Sequence, residues 1–229
     1  MHRWELIEQT SIPDDHGVME LWRREKELVI RVNGRELMSS RMHGSEDALA
    51  VLACTKVWQR PEARVLVGGL GMGFTLAAAL KCLQPDATVV VAELVPAVVR
   101  WNQGILADVA GRPLDDPRVQ VHEGDVAEAI KKPEPHWDAV LLDVDNGPHG
   151  LTRHTNNWLY NWQGLEAAFD SIRPGGVLGV WSANPDKRFT RRLGWAGFLA
   201  EPHTVRARGD RGGRQHVVWI GVRLSNPPR

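Results

Sequence analysis

Two carboxylates stand one residue apart where an apolar segment of the chain ends. A strand is predicted over residues 138–143, and Asp143 is followed by Val144, Asp145 and the turn pair Gly147-Pro148. Because side chains alternate along an extended strand, both acids would point the same way. Acids paired in this way can bind a cationic amine, ligate a divalent metal ion, or cap the turn. Our working hypothesis is amine binding, with Asp143 and Asp145 as candidate catalytic residues and no metal ligand assigned.

A glycine cluster between a predicted strand and a predicted helix is the second chemical feature. The strand 65–67 runs into Gly68-Gly69-Leu70-Gly71-Met72-Gly73, and a helix is predicted from residue 74. Glycines at such a junction let the backbone turn tightly and bring its N–H groups close to a ligand. The helix behind them adds the positive end of its dipole. The cluster therefore predicts a ligand-binding loop, with a purely structural turn as the alternative.

The spacing of these glycines indicates the class of ligand. A dinucleotide fingerprint, G-x-G-x-x-G, would place its last glycine at Phe74, whereas the chain has Gly69-x-Gly71-x-Gly73. We interpret this pattern as favouring an adenosyl-sulfonium such as S-adenosylmethionine over a nicotinamide or flavin nucleotide.

Two acids further along the chain could complete this site. Glu93 ends the strand predicted over 88–93, where dinucleotide-type folds hold ribose hydroxyls with a carboxylate. Asp125 follows the strand predicted over 119–122, and it could accept from the amine of adenine, cap the next helix, or do both. The candidate cofactor-binding residues are Gly69, Gly71, Gly73, Glu93, Leu94, Asp125 and Val126.

The order of the predicted elements supplies the scaffold for these residues. From residue 64 onward strands alternate with helices, which predicts a mostly parallel sheet with ligands beyond the carboxyl ends of its strands. The strands are predicted over 65–67, 88–93, 119–122, 138–143, 177–182, 203–208 and 216–223, and the helices over 74–84, 96–109, 126–131, 157–172 and 187–194. The fold class is therefore α/β, with a doubly wound, mostly parallel, seven-stranded Rossmann-like sheet.

The first 43 residues indicate a separate β unit. Short segments of alternating character are separated by turn residues, and Asn33-Gly34 is a strong hairpin signal. A helix is predicted over 45–58, with Ser45 as its N-cap. We therefore predict a small N-terminal β-hairpin domain over 1–43 and the Rossmann-like domain over 44–229.

Composition and charge argue against several classes of function. Across 229 residues, Lys plus Arg and Asp plus Glu both total 28, so no overall charge favours nucleic-acid binding. The basic segment 206–214 is rich in glycine and is interpreted as a hairpin loop. No apolar run approaches the roughly 20 residues of a membrane helix. Cys54 and Cys82 lie far apart and are interpreted as reduced thiols, which predicts a cytoplasmic protein.

These motifs together resemble the polyamine aminopropyltransferase (spermidine synthase) family. The resemblance covers most of the chain and is carried by Asn33-Gly34, Val65-Leu66-Val67-Gly68-Gly69, Asp116-Pro117-Arg118-Val119, Gly124-Asp125, the strand 137–143, Pro174-Gly175-Gly176-Val177-Leu178 and Trp181-Ser182-Ala183-Asn184-Pro185. It implies a small N-terminal β domain, a methyltransferase-like Rossmann domain and, usually, a homodimer. It also implies decarboxylated S-adenosylmethionine as donor and a diamine as acceptor. Glu93 would hold the ribose, Asp125 the adenine, and Asp143 would activate the attacking amine.

The chain departs from the family where amines are recognised. Leu70 takes the place of an aspartate that meets the aminopropyl ammonium of the donor, and Leu37 falls near an expected glutamine. The segment 43–47 replaces a Tyr-His/Gln-Glu cluster, and residues 143–148 are one residue out of register. Three hypotheses therefore stay open. They are an aminopropyl-type transferase acting on a small amine, an S-adenosylmethionine-dependent small-molecule methyltransferase, and a non-catalytic adenosyl-ligand binder.

Histidines and aromatic residues near the acidic turn are further candidates. His149 and His154 could shuttle protons or ligate a metal ion. Trp158, Tyr160 and Trp162 could surround a sulfonium or ammonium through cation–π contacts. Solvated loop histidines and aromatic residues that pack helices are the alternatives.

Overall fold

An antiparallel sheet comes first in the computed structural model, which describes residues 3–13, 17–133, 136–144 and 157–224. Its strands are β1 (Glu5–Ser11), β2 (Val18–Arg24), β3 (Glu27–Val32) and β4 (Arg35–Ser39), paired in that order. Between β3 and β4, Asn33 and Gly34 have φ angles of 50° and 75°, as a two-residue hairpin turn requires. The amide oxygen of Asn33 also accepts a hydrogen bond from the backbone N–H of Val18 at 2.9 Å. The predicted hairpin sheet is confirmed.

Seven further strands form a second sheet in the order β10-β11-β9-β8-β5-β6-β7. They are β5 (Arg64–Gly68), β6 (Thr88–Glu93), β7 (Val119–Glu123), β8 (Trp137–Leu142), β9 (Ile172–Ser182), β10 (Phe198–Arg206) and β11 (Gln215–Arg223). Strands β5 to β9 run parallel, and β11 and β10 extend the sheet in antiparallel fashion. The strand order reverses beside β5, which has β6 on one side and β8 on the other. Doubly wound sheets bind their ligands at such a switch point.

Helices cover both faces of this sheet. They are α1 (Gly44–Cys54), α2 (Phe74–Cys82), α3 (Pro96–Gln103), α4 (Val126–Lys131), α5 (Asn157–Tyr160), α6 (Trp162–Ser171) and α7 (Lys187–Trp195). Strand β8 is buried at every position, as expected for a parallel strand with helices on both sides. The predicted doubly wound α/β fold is therefore confirmed. Within the described ranges, no helix is both long and apolar enough to cross a membrane.

Alternate residues of β5 face two separate hydrophobic clusters. Val65 and Val67 belong to the first cluster and Leu66 to the second. The first cluster also contains Leu21 and Ile30 of the N-terminal sheet. The two sheets therefore share apolar packing, and the domain division after residue 43 stays a prediction.

Several predicted element boundaries are wrong. Helix α1 begins at Gly44 with His43 in the N-cap position, so Ser45 is not its N-cap. The helix predicted over 157–172 is interrupted at Asn161, whose side chain caps α6 by accepting from the backbone N–H of Gly164 at 3.0 Å. Strand β10 begins at Phe198 rather than at residue 203. In the first two cases a local hydrogen bond or backbone turn overrides the apolar period on which the prediction depended.

Candidate active site

The glycine loop after β5 has the backbone geometry that its sequence predicted. Gly69 has a φ angle of 88°, and a β-carbon there would collide with the carbonyl oxygen of Asp143. Gly71 also has a positive φ angle, of 52°, and lies against the side chain of Met38. Gly73, with a φ angle of 83°, is the N-cap of α2 and packs near Pro113. Only Gly69 and Gly71 of these three glycines face the cavity described next.

A cavity opens at the switch point, between the carboxyl ends of the strands and the N-terminal sheet. Most of the candidate residues line it, namely Gly69, Gly71, Glu93, Leu94, Asp125, Val126 and Asp143. Asp145, His149 and His154 lie outside the described residues. The fold therefore brings the glycine loop and the acids that follow three different strands around one space.

Glu93 joins the glycine loop to the end of β6. Its Oε2 accepts a hydrogen bond from the backbone N–H of Leu70 at 2.9 Å, and its Oε1 accepts one from Val95 at 2.8 Å. The side chain is only 8% exposed. Burial raises the pKa of Glu93, although the backbone N–H groups that bind its carboxylate act in the opposite direction. Backbone N–H groups of Gly71 and Leu94 also act on this carboxylate, so a ribose hydroxyl would share its roughly four acceptor sites with backbone donors.

Asp125 is the N-cap of α4, as one of the two sequence interpretations proposed. Its Oδ1 accepts a hydrogen bond from the backbone N–H of Ala127 at 2.9 Å. The residue also lines the cavity. Capping leaves Oδ2 available, so a helix cap and a contact to an adenine amine are compatible.

Asp143 follows β8 and is held by Thr75 in the first turns of α2. The hydroxyl of Thr75 donates to Oδ2 of Asp143 at 2.5 Å, at the short end of the range for a hydroxyl bound to a carboxylate. The backbone N–H of Asp143 donates to the carbonyl oxygen of Gly68 at 2.9 Å, continuing the pairing of β8 with β5. Burial raises the pKa of Asp143 to about 6, while the Thr75 hydrogen bond acts to lower it.

Glu46 is an acid of this cavity to which the sequence analysis assigns no role. It stands in the first turn of α1, is only 8% exposed, and lines the same space as Asp143. An acid in the first turn of a helix is ordinary, because it complements the helix dipole. Local sequence therefore offers no signal that distinguishes Glu46 from Asp47 beside it.

The two leucines that depart from the family pattern lie in different surroundings. The side chain of Leu70 is 4% exposed and belongs to the first hydrophobic cluster. Leu37 lines the cavity, where it forms an apolar wall with other residues of the N-terminal sheet and its flanking turns, namely Ile12, Met19, Ile30 and Met38. The donor side of the cavity therefore has no carboxylate at position 70.

The three aromatic candidates of α5 and α6 do not line this cavity. Tyr160 is buried and donates its hydroxyl proton to the carbonyl oxygen of Val144 at 3.1 Å. The ring of Trp158 lies under the ammonium of Lys131, and Trp162 is half exposed. The aromatic residue that does line the cavity is Trp181, near the end of β9. In the part of the chain that the structure describes, no three acidic, histidine or cysteine side chains group as a metal site would require.

The fold and this cavity define a doubly wound α/β protein with an acid-lined site at the switch point of its sheet. A polyamine aminopropyltransferase from Korarchaeum cryptofilum is 29% identical to the chain over 120 residues, which are 52% of this chain and 35% of that relative. The alignment thus spans about a third of the relative's length. No family model matches the chain.

Solved structures of spermidine synthases have the same fold. One in complex with the transition-state analogue AdoDATO has a TM-score of 0.75 at 17% identity, with 97% of this chain and 73% of that chain covered. The enzyme from Thermotoga maritima has a TM-score of 0.73 at 16% identity, over 97% and 73% of the two chains. A probable spermidine synthase from Corynebacterium glutamicum has a TM-score of 0.64 at 16% identity, over 95% and 79%. The predicted resemblance to the spermidine synthase-like aminopropyltransferases is confirmed.

Proposed function

We propose that this chain is a spermidine synthase-like transferase that moves an aminopropyl-type group from an adenosyl-sulfonium donor to a small amine. The observation that carries the proposal is that Asp143 lines the same cavity as the glycine loop, Glu93 and Asp125. A nucleophile held at Asp143 would therefore meet a donor bound over the loop. The aminopropyltransferase relative supports the reaction class.

The donor is decarboxylated S-adenosylmethionine or S-adenosylmethionine, acting as a co-substrate. The backbone of Gly69 and Gly71 approaches it closely because neither residue has a side chain. Glu93 accepts from its ribose hydroxyls and Asp125 from its adenine amine, using the oxygens that backbone N–H groups leave available. The neighbouring Leu94 and Val126 pack against the base.

Asp143 binds the acceptor as an ammonium ion and orients its nitrogen. When the nitrogen loses a proton, its electron pair attacks the carbon attached to the sulfonium sulfur. The C–S bond breaks, its electrons neutralise the sulfur, and a thioether leaves. Thr75 keeps the carboxylate in place, which lowers the entropy lost in the reaction. Asp145, predicted as a partner of Asp143 in acceptor binding, lies outside the described residues.

A methyltransferase that uses intact S-adenosylmethionine is the second candidate. The observation that favours it is the position of Leu70, whose side chain is buried in the apolar cluster. Position 70 therefore has no carboxylate that could bind the ammonium group of a decarboxylated donor. The same cavity would then transfer a methyl group.

One experiment separates the candidates. Each donor is incubated with the protein and a set of small primary amines, and the thioether product is identified by mass spectrometry. We expect 5′-methylthioadenosine and an aminopropylated amine from the decarboxylated donor. S-adenosylhomocysteine with a methylated acceptor would instead support the methyltransferase, and binding of either donor without product would support a non-catalytic binder. Asp143→Asn serves as the matched inactive control.

A homodimer and a cytoplasmic location remain part of the proposal. The homodimer is what the resemblance to the family implies. Light scattering after size-exclusion chromatography measures the mass of the assembly and so tests it. The cytoplasmic location is supported by two cysteines that form no disulfide, Cys54 and Cys82.

A further inference from the structure

Glu46 is a buried carboxyl group that has no cationic partner among the residues that the structure describes. Among the described lysines and arginines, none forms an ion pair with it, although its side chain is only 8% exposed. A buried acid without a cation is costly in its charged form, so it retains a proton or waits for a cation from outside. Glu46 also lines the cavity.

Two side chains, Ser45 and His216, are hydrogen-bonded in sequence behind Glu46. The hydroxyl of Ser45 donates to Oε2 of Glu46 at 2.6 Å, and Nδ1 of His216 lies 2.9 Å from the same hydroxyl oxygen. A serine hydroxyl has one proton, so when Ser45 donates to the ionised Glu46, Nδ1 of His216 is the donor to Ser45. The ring of Trp181 packs edge-on against His216, with 4.8 Å between the ring centroids. This arrangement fixes Oε2 of Glu46 and leaves Oε1 for the cavity.

The charges around Glu46 are mostly negative. Asp143 lines the same cavity and is close enough to raise the pKa of Glu46, and Asp47 follows Glu46 on α1. Burial raises the pKa of Glu46 to about 8, with Asp143 as the next cause, while the Ser45 hydrogen bond acts to lower it. Burial, helped by Arg214, lowers the pKa of His216, so this ring stays neutral near pH 7 and adds no positive charge. Two neighbouring carboxyl groups in these surroundings hold one proton between them at neutral pH.

We propose that Glu46 is a second acid of the amine site, and that it forms with Asp143 a carboxyl pair that exchanges one proton with each amine bound. The proton transfer during catalysis rests on the proposed function, whereas the proton release on amine binding does not. In the empty cavity Glu46 holds the proton and Asp143 is ionised. An entering ammonium ion stabilises both carboxylates, and the proton of Glu46 leaves to solvent. Glu46 then takes a proton from the ammonium as the nitrogen attacks the donor carbon, which restores the starting state.

The protons balance over this cycle. One proton is released on binding, one moves from nitrogen to Glu46, and the product amine leaves as an ammonium ion. A base close in pKa to an amine is also better suited to this transfer than an ordinary carboxylate near 4. Glu46 thus supplies the proton acceptor that Asp143 alone supplies poorly.

Proton release on amine binding tests the pair without any turnover. Binding of 1,4-diaminobutane is measured by titration calorimetry near neutral pH in two buffers of different ionisation enthalpy. The wild type should release about one proton per amine bound, and Glu46→Gln should release almost none. Asp47→Asn, which removes the same charge one residue away and outside the cavity lining, should still release the proton, with only a small downward shift of the midpoint pH, because Asp47 is the smallest cause of the raised pKa of Glu46. Binding of 5′-methylthioadenosine, an uncharged ligand, should release no proton.

Equal proton release by Glu46→Gln and the wild type would overturn the inference, as would an absence of amine binding by the wild type. A protein that releases the proton on binding amines but yields no product would refute only the proposed transferase. Ser45→Ala provides a second variant if Glu46→Gln does not fold. Loss of its hydrogen bond should shift the midpoint pH of proton release upward, and an unchanged midpoint would also count against the pair.

Thermal unfolding tests the proton of the empty cavity. Because the pKa of Glu46 is raised in the folded state, the folded protein binds this proton more tightly than the unfolded chain. The free energy of unfolding contributed by Glu46 is therefore fully present below about pH 4.5 and is lost as the pH rises through about 8. The melting temperature of Glu46→Gln should thus rise relative to that of the wild type over this range. A constant difference would contradict the inference.

Discussion

Oε2 of Glu93 accepts a hydrogen bond from the backbone N–H of Leu70 at 2.9 Å, so the acid that ends β6 holds the glycine loop that follows β5. The same carboxylate is the proposed ribose ligand. Loop shape and ligand affinity therefore depend on one side chain, and a variant of Glu93 changes both.

Glu93→Gln should weaken binding of 5′-methylthioadenosine by about ten- to hundredfold. The oxygen of the amide can accept from one of the two backbone N–H groups, but its NH₂ group opposes the other. The variant also loses the charged acceptor of the ribose hydroxyls, and a hydrogen bond to a charged group contributes about 1.5–3 kcal/mol to binding. Titration calorimetry measures the affinity. Glu123→Gln is the control, since Glu123 pairs with Glu93 in register on β7 and is exposed. Equal affinity of Glu93→Gln and the wild type would remove Glu93 from the proposed site.

Asp143→Asn should lower turnover of a verified substrate by about 10²–10⁴ while leaving the affinity for 5′-methylthioadenosine nearly unchanged. The amide keeps the shape of the carboxylate but loses the charge that attracts an ammonium ion. Steady-state kinetics and calorimetry separate the two effects. Intact turnover in this variant would show that Asp143 has only a structural role in the turn and no role in catalysis.

Thr75→Val should move the acid limb of the pH–rate profile upward. The Thr75 hydroxyl lowers the pKa of Asp143, so its removal raises that pKa, and Asp143 becomes ionised only at higher pH. The substitution conserves volume at a buried position. A profile that loses amplitude without shifting would show that Thr75 acts only through packing.

Gly69→Ala should destabilise the protein by more than Gly111→Ala. Both glycines have positive φ angles, of 88° and 78°, which cost a non-glycine residue about 1–2 kcal/mol. An added β-carbon at Gly111 meets no atom within 4 Å, whereas at Gly69 it collides with the backbone of Asp143. Denaturant unfolding measures the difference. Equal losses would mean that the loop and the end of β8 can move apart freely.

Asp138→Asn should destabilise the fold by about 1–3 kcal/mol, because a buried carboxylate loses its charge-assisted hydrogen bonds to partly exposed arginines. Asp138 is 1% exposed and lies 2.7 Å from Nη1 of Arg60 and 3.1 Å from Nη1 of Arg173, and it accepts from the backbone N–H of Arg64 at 2.8 Å. Asp108→Asn, in an exposed ion pair with Arg112, should cost less than about 1 kcal/mol. Similar losses in the two variants would contradict this account.

The sequence alone was sufficient to predict the architecture and the conformation of the glycine loop. Strand and helix periods, the Asn33-Gly34 turn and the Gly69-x-Gly71-x-Gly73 spacing are local properties, set by which backbone angles each residue tolerates. The position of Glu93 and Asp125 at one edge also follows from local order, because parallel strands all end at that edge. The errors lay at element ends, as at Ser45 and Asn161. At Asn161 a side-chain hydrogen bond to the backbone N–H of Gly164 begins a new helix.

Only the tertiary structure decided which residues meet across the cavity. Thr75 and Asp143 are 68 residues apart in the chain, and Ser45 and His216 are 171 apart. Glu46 and Asp47 are indistinguishable as acids at the start of a helix, yet only Glu46 lines the cavity. The packing of α1 against β9 and β11 selects it. A local pattern specifies which face of an element is apolar, whereas the neighbour that this face meets, and the burial that shifts a pKa, depend on how distant elements pack.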